Sequence, residues 1–572
     1  MKYSGNITSR GLAVGEIFQY SVYAPNIQDT QIAEEDVECE IAKYNEAVKQ
    51  AEEELNKRIE CAKEVNADQA GIFRAHLEIM SDVTMAEEIV GMIKEHTSAM
   101  KATDCIYSQY AELLRATGDE LIAERASDMM DVRRRLLRCI DGVADEDLSA
   151  INKPVILVTH DLMPSDTSGL DPKYIKGIVT EIGGTTSHSS IIARSFGIPA
   201  IAGVDDACQC LHSGEMVILD CIDGYILTEP DEGELQEFNK KAGAFSEQIR
   251  DEKQYLNKKA SLPDGTRINV MVNIGKGDAK DLSNAENCDG VGLFRTEFLY
   301  MDRETLPTEE EQFQQYKSVL EAFSPNPVTL RTLDIGGDKE AKCLDLPKEN
   351  NPFLGNRALR LCFDNEDTFL TQLRAALRAS VYGTLKIMFP MVSGLEDVRH
   401  AKSLLKKAMD ELDEKGIAWN HDVKAGVMIE IPALAVMADQ LAKEVDFASV
   451  GTNDLTQYTL AADRINPNVA KYYQPYDPAV MRLIAYAAKE FNKAGKQLSV
   501  CGEMGGDPVA AAGLIGMGIT NLSMGASSLA MIKKMICNLD IDRAKSAVEK
   551  IMTVSTAKEV KEELSVVINN KQ

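Results

Sequence analysis

Several features that mark other protein classes are scarce or missing in this sequence, and each absence excludes a class of function. The 572 residues include 12 cysteines but no C-x-x-C pair, so the sequence predicts neither a zinc module nor a disulfide framework. Lys and Arg number 62 against 90 Asp and Glu, and the net charge of -28 argues against a nucleic-acid partner. No apolar run approaches the roughly 18 residues of a membrane span, and the N-terminus lacks the apolar core of a signal peptide. We therefore expect a protein of the reducing cytoplasm, without membrane insertion.

A stretch rich in glycine and hydroxyl groups, residues 183–190, joins a β-like run to a short helical run. Glycines allow a sharp turn, hydroxyls can cap the helix, and the start of a helix favours an anion. His188 lies at this junction, and an imidazole with an ordinary pKa near ~6.5 can accept a phosphoryl group there. Taken alone, the stretch fits a loop histidine that merely caps its neighbours equally well.

Hydrophobic periodicity divides the first half of the chain into units of different kinds. Apolar residues at spacings of three and four from Val37 onward predict a long amphipathic helix, the first of a helical subdomain over 26–145. β signals on either side predict an α/β domain made from 1–25 and 146–230, with the helical unit inserted. Composition rich in Glu, Gln, Lys and Ala predicts a helical linker over 231–260.

The remaining residues, 261–572, alternate short β-like runs with helical spans. Eight such alternations predict a (β/α)8 barrel, although the period also fits a doubly wound sheet. We favour the barrel because reactive side chains fall at the ends of the runs, where barrel active sites lie. The eight runs are 268–274, 290–298, 328–335, 385–392, 425–431, 447–451, 498–501 and 521–524.

The ends of these runs carry side chains that suit a phosphorylated substrate. Arginines grip phosphate in bidentate fashion, and Glu430 and Asp454 supply the one or two carboxylates that Mg²⁺ prefers. For any single residue a structural salt bridge is the better explanation, but for the whole set it is not. Cys501 by itself fits a buried structural thiol slightly better than a proton donor. The candidates for binding the phosphate and carboxylate of one small substrate are Arg295 and Arg331, with Arg464 or Arg357 as a further contact.

Several segments resemble the phosphoenolpyruvate-utilising enzymes, and among them the enzyme I family of the bacterial sugar phosphotransferase system. Residues 183–200 are similar to the family's phosphohistidine signature, and Asp446–Tyr458 is similar to its second and highly specific signature. The resemblance covers essentially the entire chain in one order. Further similar segments are Gly292–Glu297, Arg331–Lys339, Asn351–Arg357 and Cys501–Glu503.

This resemblance implies an enzyme that phosphorylates itself on His188 from phosphoenolpyruvate, releases pyruvate, and passes the phosphoryl group to the phosphocarrier protein HPr for sugar uptake. It implies that Glu430 and Asp454 hold Mg²⁺ and that Cys501 protonates the enolate, which reverses the preference for a structural thiol. HPr would dock on the helical subdomain, and the barrel would form a homodimer. The histidine domain would swing to the barrel to receive the phosphoryl group and away from it to deliver the group. The implied substrate contacts are Arg295, Arg331, Arg357, Asn453, Asp454 and Arg464.

Related enzymes and one non-enzymatic role are the alternatives. A phosphoenolpyruvate synthase or a pyruvate phosphate dikinase shares the histidine domain and the barrel but carries a large ATP-binding domain. We expect none here, because the residues before 146 follow a helical pattern without a Walker motif. A nitrogen-regulatory paralogue would bring an additional N-terminal sensory domain, for which we expect no room. A catalytically silent scaffold would release no pyruvate from phosphoenolpyruvate.

Overall fold

In a computed structural model the chain forms two compact units, Met1–Gly243 and Ala244–Gln572. Within the residues that the structure describes, no helix has the length and apolar character needed to cross a membrane. The structure describes the chain except for residues 21–24, 26, 28–30, 64–66, 117–119, 144–147, 149–150, 163–169, 184–187, 302, 337–338, 340, 342, 345, 347–348 and 569–572.

The first unit is built on a mixed β-sheet. Its strands are β1 (Lys2–Ser4), β2 (Asn6–Ser9), β3 (Leu12–Tyr20), β4 (Val155–Thr159), β5 (Ile175–Thr180), β6 (Ala200–Ala202), β7 (Met216–Asp220) and β8 (Tyr225–Thr228). They lie in the order β1-β8-β7-β3-β4-β5-β6-β2. Strands β3 to β6 run parallel to one another, so their carboxyl ends share one edge of the sheet. β4 is buried along its whole length, as its unbroken apolar sequence requires.

A helical region is inserted between β3 and β4. Its first helix buries Tyr44, Ala51, Leu55 and Ile59 along one face, which is the face that the spacing of its apolar residues predicts. The helices described there are Val37–Lys63, Ala67–Met80, Val83–Lys94, Ala99–Ala116 and Glu120–Asp141. The other helices that begin in this unit are His188–Phe196, Ala207–Cys210 and Glu232–Lys253.

The second unit is a closed barrel of parallel strands, which confirms the predicted (β/α)8 fold. Apolar residues of alternate strand positions form one core between the barrel wall and the surrounding helices. The strands are β9 (Asn269–Ile274), β10 (Val291–Arg295), β11 (Pro327–Arg331), β12 (Thr384–Phe389), β13 (Lys424–Ile429), β14 (Phe447–Val450), β15 (Gln497–Val500) and β16 (Asn521–Met524).

Three of the predicted β runs extend three or four residues too far at their carboxyl ends. Thr296–Leu299 forms a 3-10 turn after β10, and residues 332–335 continue β11 without strand pairing. After β12 the chain bends away at Met391, whose φ is 53°. Apolar residues in these segments, such as Phe298 and Leu333, make them look like strand in the sequence, but the segments have left the barrel wall.

Helices separate the strands and surround the barrel, and the first and last repeats meet where it closes. β9 pairs with β16, and Asn269 Nδ2 donates to Asn521 Oδ1 at 2.9 Å across that seam. The buried Lys533 ammonium donates to the carbonyls of Leu256 and Asn287 at 2.7 and 2.8 Å. The α-helices described are Ala279–Leu282, Glu309–Phe323, Leu359–Asp364, Glu366–Ala379, Leu395–Glu414, Pro432–Val436, Ala438–Glu444, Thr452–Leu460, Pro478–Lys493, Pro508–Gly516, Leu529–Cys537, Ile541–Ile551 and Ala557–Ile568.

Candidate active site

The alternation of side chains along the barrel strands determines which residues reach the mouth of the barrel. Leu293 and Met428 belong to a small cluster inside the barrel, separate from the core around it. Two positions further along the same strands, Arg295 and Glu430 therefore point into the opening at the carboxyl ends. The inner cluster consists of Leu293, Met388, Met428, Phe447 and Cys501.

Arg331, at the end of β11, lies at the centre of a buried group of charges. Its guanidinium contacts the Glu297 carboxylate and lies 2.8 Å from Asp334 Oδ2. Lys339 Nζ lies 2.8 Å from Glu297 Oε1 and 2.8 Å from Asp334 Oδ2, and Arg357 donates to Asp334 Oδ1 at 2.9 Å. Three cations therefore surround two carboxylates, and the excess of positive charge suits an anionic ligand.

The two acids of this group remain ionised despite their burial. Burial by itself raises the pKa of Glu297 and of Asp334, but Arg331 and Lys339 lower both pKa values below their ordinary range. The Nε atoms of Arg331 and Arg357 are buried and have no hydrogen-bond partner among the described residues. Each arginine thus keeps a donor for a phosphate or carboxylate oxygen.

Glu430, directly after β13, carries a buried carboxylate with one occupied and one unoccupied oxygen. Its Oε1 accepts a hydrogen bond from the backbone N–H of Met391, whereas Oε2 has no partner within the described part of the chain. Burial, followed by the negative charges of Asp454 and Asp334, raises the pKa of Glu430 to about 8. Such a carboxyl ionises more readily when a cation binds beside it.

Asp454 lies in the first turn of the helix Thr452–Leu460, directly after β14. Arg464 approaches its Oδ2 at 3.4 Å, and Arg357 approaches its Oδ1 at 3.5 Å. Among the described residues no group of three or more His, Cys, Asp or Glu could hold a metal ion. The assignment of Glu430 and Asp454 as a pair of metal ligands stays a prediction from the sequence.

Asn453 and Cys501 link the helix start to the end of β15. Asn453 Oδ1 accepts a hydrogen bond of 3.2 Å from the N–H of Glu503. Cys501 is buried, and burial raises the pKa of its thiol to about 11, so the sulfur keeps its proton at neutral pH. Between them, a Cβ on Gly502 would lie 1.9 Å from Thr452 Oγ1, so only glycine fits this close approach.

The structure brings the predicted barrel residues to one end of the barrel, but their exposure differs. Arg295 is exposed, whereas Arg331 and Arg357 are buried and Arg464 is intermediate. Sequence reasoning did not select Lys339, although its ammonium joins Glu297 to Asp334. Its only signal is its place at the end of the similar segment Arg331–Lys339.

Tyr458 is a second residue that the sequence analysis did not select. Its hydroxyl accepts a hydrogen bond of 3.2 Å from Arg357 and donates one of 2.6 Å to the carbonyl of Phe353. Tyr458 and Asp334 therefore hold different nitrogens of the Arg357 guanidinium. The signal for Tyr458 in the sequence is its place at the end of the similar segment Asp446–Tyr458, whereas its contact with Arg357, 101 positions away, has no signal.

His188 belongs to the first unit, whereas the other predicted site residues belong to the second. The helix that follows β5 begins at His188. Residues 184–187 of the glycine- and hydroxyl-rich stretch, and the side chain of His188, lie outside the described residues. The entry to the loop is fixed, because the N–H groups of Glu181 and Ile182 donate to the carbonyls of Thr159 and His160, each at 3.1 Å.

Three family models match successive parts of the chain. The model of the N-terminal region of phosphoenolpyruvate-utilising enzymes matches residues 4–125. The model of the mobile domain of these enzymes matches residues 151–224, and that of their phosphoenolpyruvate-binding domain matches residues 250–541.

Curated relatives are similar along almost their whole length. The phosphoenolpyruvate-protein phosphotransferase of Priestia megaterium is 42% identical over 558 residues, which cover 97% of this chain and 97% of the relative. The enzyme of the same name from Bacillus subtilis (strain 168) is 42% identical over 561 residues, covering 96% and 97%. That of Listeria innocua is 41% identical over 560 residues, covering 98% of each chain.

Proposed function

Because the chain belongs to the phosphoenolpyruvate-utilising enzymes, and among them to the phosphoenolpyruvate-protein phosphotransferases, we propose that His188 carries the transferred phosphoryl group. The position of His188 at the start of a nine-residue helix supports this role, because the positive end of the helix dipole favours the added negative charge. The observation that carries the rest of the proposal is the surplus of buried positive charge around Arg331.

Phosphoenolpyruvate would bind at the mouth of the barrel. Its phosphate and carboxylate need several fixed donors, and the unpartnered Nε atoms of Arg331 and Arg357 supply two of them. Both guanidinium groups are already held by Asp334, so little side-chain freedom is lost when substrate binds. The exposed Arg295, together with Asn453 and Arg464, completes the proposed set of contacts.

The cofactor in this proposal is Mg²⁺, held by Glu430 and Asp454. The fit is supported by two buried oxygens, Glu430 Oε2 and Asp454 Oδ1, for which the described residues supply no hydrogen bond, and by the effect of the Asp454 charge on the Glu430 pKa. A bound Mg²⁺ would neutralise the charge on substrate oxygens.

The residues of the chain then account for the chemical steps. The arginines hold the phosphate while the His188 imidazole attacks phosphorus in line, and the bond from phosphorus to the bridging oxygen breaks. The enolate left behind takes the proton of the Cys501 thiol at its methylene carbon and becomes pyruvate. The electron pair of the S–H bond remains on the sulfur.

The proposed acceptor is HPr, docking on the inserted helices, in the cytoplasm and in support of sugar uptake. The net charge of -28 is consistent with a protein partner rather than a nucleic acid. The proposed homodimer uses the barrel. Exposed apolar side chains on this unit, which are typical of association surfaces, support that proposal; they are Leu354, Val436, Met437, Ile465, Tyr472 and Tyr486.

The test is the intact mass of the purified protein after mixing with phosphoenolpyruvate and Mg²⁺. We expect one acid-labile phosphoryl adduct, which is lost in His188→Ala and in the presence of a chelator. The matched control is His212→Ala, which removes an exposed histidine of the same unit and should keep the adduct. An adduct that survives in His188→Ala would overturn the assignment, and an adduct that forms only with ATP would favour a dikinase or synthase.

A further inference from the structure

Ser449 has a buried hydroxyl for which the steps above provide no role. It is the third residue of β14 and is completely buried. Its neighbours Ala448 and Val450 belong to the core outside the barrel wall, and Phe447 belongs to the inner cluster. By alternation the Ser449 side chain points into the barrel, where its Oγ has no well-directed hydrogen-bond partner among the described residues.

Ser449 lies one strand away from Cys501. β14 and β15 run parallel, with Ser449 paired to Ser499 and Val450 paired to Val500. The N–H of Cys501 donates to the Val450 carbonyl at 3.1 Å, and the Cys501 sulfur lies 3.7 Å from the same oxygen. In this register Cys501 is the diagonal neighbour of Ser449, two residues beyond Ser499 on the adjacent strand, and the Ser449 hydroxyl acts to lower the pKa of the Cys501 thiol.

A buried thiolate is costly unless a donor compensates it. When Cys501 gives its proton to carbon, a C–H bond forms, the S–H bond breaks, and the negative charge of the enolate moves to the sulfur. The sulfur is buried, so water does not solvate its charge. Arg331 and Arg295 favour the thiolate, Glu430 opposes it, and Ser449 is the neutral donor. A hydroxyl can rotate to accept from a thiol and to donate to a thiolate, so it suits both states.

We propose that Ser449 is a positioning residue for proton delivery, whose hydroxyl holds the Cys501 sulfur and stabilises it once the proton has left. This inference rests on the proposed role of Cys501. It adds a hydrogen bond that forms fully only as the proton is transferred, which is the kind of interaction that lowers a barrier.

The experiment uses the reverse of this step. Pyruvate is incubated with the full-length protein and Mg²⁺ in D2O, and NMR follows exchange of its methyl protons, which requires the Cys501 thiolate. We expect Ser449→Ala to slow exchange about tenfold or more and to move its pH profile upward by about one pH unit, because a hydrogen bond to a charged group is lost. The KM for phosphoenolpyruvate should not change, since Ser449 is not among the proposed substrate contacts.

The matched control is Ser499→Ala. Ser499 is the register partner of Ser449 and is also buried, but its hydroxyl donates to the Ala448 carbonyl at 3.2 Å. We expect Ser499→Ala to exchange the methyl protons of pyruvate at the wild-type rate. Ser449→Ala should fold normally, because it removes an oxygen that has no well-directed partner.

Three outcomes would overturn the inference. In the first, Ser449→Ala exchanges at the wild-type rate with the same pH profile. In the second, Ser449→Ala and Ser499→Ala slow exchange equally. In both cases Cys501→Ala should still lack exchange, and the proposed role of Cys501 survives. If Cys501→Ala exchanges as fast as the wild type, the role of Cys501 itself is wrong, and the inference falls with it.

Discussion

Arg357 donates a hydrogen bond of 2.9 Å to Asp334, and the two side chains are only 1% and 2% exposed. Asp334 also contacts Arg331 and Lys339, so one carboxylate contacts three cations. We expect Asp334→Ala to lower the free energy of unfolding of the barrel by about 3–5 kcal/mol, because buried cations lose their partner. Urea unfolding measures this change.

An exposed ion pair provides the comparison. Arg399 pairs with Glu444 on the surface of the same unit, and its side chain is 63% exposed. Water already solvates these charges, so Glu444→Ala should leave the urea midpoint almost unchanged. If Asp334→Ala and Glu444→Ala lower the urea midpoint equally, burial of the ion pairs around Asp334 contributes nothing to stability.

The raised pKa of Glu430 predicts a dependence of stability on pH. Its folded-state pKa is about 8, against an ordinary value of 4.5, so between these values the folded protein binds more protons than the unfolded chain. The contribution of Glu430 to the free energy of unfolding should therefore fall as pH rises through this range in the metal-free protein. Urea midpoints measured with a chelator test this, and Glu430→Gln should remove that part of the slope.

The same carboxyl predicts a proton-linked affinity for metal. Only the ionised form binds a cation, so the affinity for Mn²⁺, used as a probe for Mg²⁺, should rise with pH up to about 8. Electron paramagnetic resonance measures free Mn²⁺ directly, without any turnover. An affinity that is independent of pH below this value would contradict the assignment of Glu430 as a ligand.

The backbone conformation of Ala358 predicts that one substitution there raises stability and weakens substrate binding. It follows Arg357 directly and has φ 52° and ψ -121°, a conformation that is unfavourable for a residue with a Cβ. Ala358→Gly should raise the free energy of unfolding by about 1–3 kcal/mol, because it relieves this strain. It should also raise the KM for phosphoenolpyruvate, because Arg357 gains freedom. Glu229→Gly, at another positive φ of 47° but in the first unit, should leave the KM unchanged.

Gly502 predicts a loss of catalysis through a steric contact. A Cβ at this position would lie 1.9 Å from Thr452 Oγ1 and 2.7 Å from Thr452 N, so Gly502→Ala must displace the chain beside Cys501. A displacement of about 1 Å at a reacting group can reduce turnover about a hundredfold, and we expect kcat for pyruvate release to fall by that order. A coupled assay of pyruvate measures it.

Gly525, directly after β16, is the matched control for Gly502. A Cβ there meets no atom within 4 Å, and its φ of -63° is open to alanine. Gly525→Ala should therefore keep the wild-type kcat. The steric explanation is wrong if the two variants lose activity to the same extent.

The barrel could be predicted from the sequence because each strand is a short apolar run between helical spans. The starts of the strands agree with prediction to within about one residue, whereas three ends were placed three or four residues too far along the chain. Residues 296–299 and 332–335 still include apolar side chains after they leave the wall, so composition does not show where pairing stops. Strand ends depend on neighbours that only the closed barrel supplies.

The residues that belong to the site could be predicted more fully than the contacts that they make with one another. Arg331 ends strand β11 and Glu430 follows β13, so their place at the mouth follows from topology. That Asp334 contacts Arg357 as well as Arg331 could not be predicted, because Arg331 lies in a strand, Arg357 lies in a later loop, and no periodicity connects them. The assignment of His188 came from a sequence motif, and its side chain lies outside the described residues.

The seam between β9 and β16 has a consequence for synthesis of the chain on the ribosome. Asn269 and Asn521 are 252 positions apart, and Lys533 ties the carbonyl of Leu256 to a helix near the end of the sequence. The first strand therefore has an unpaired edge until nearly the whole chain has been made. The first unit, whose strands are complete by Thr228, can fold long before that moment. A nascent chain of this protein thus has a folded histidine-bearing unit attached to an open barrel, which is the stage that most needs protection from aggregation.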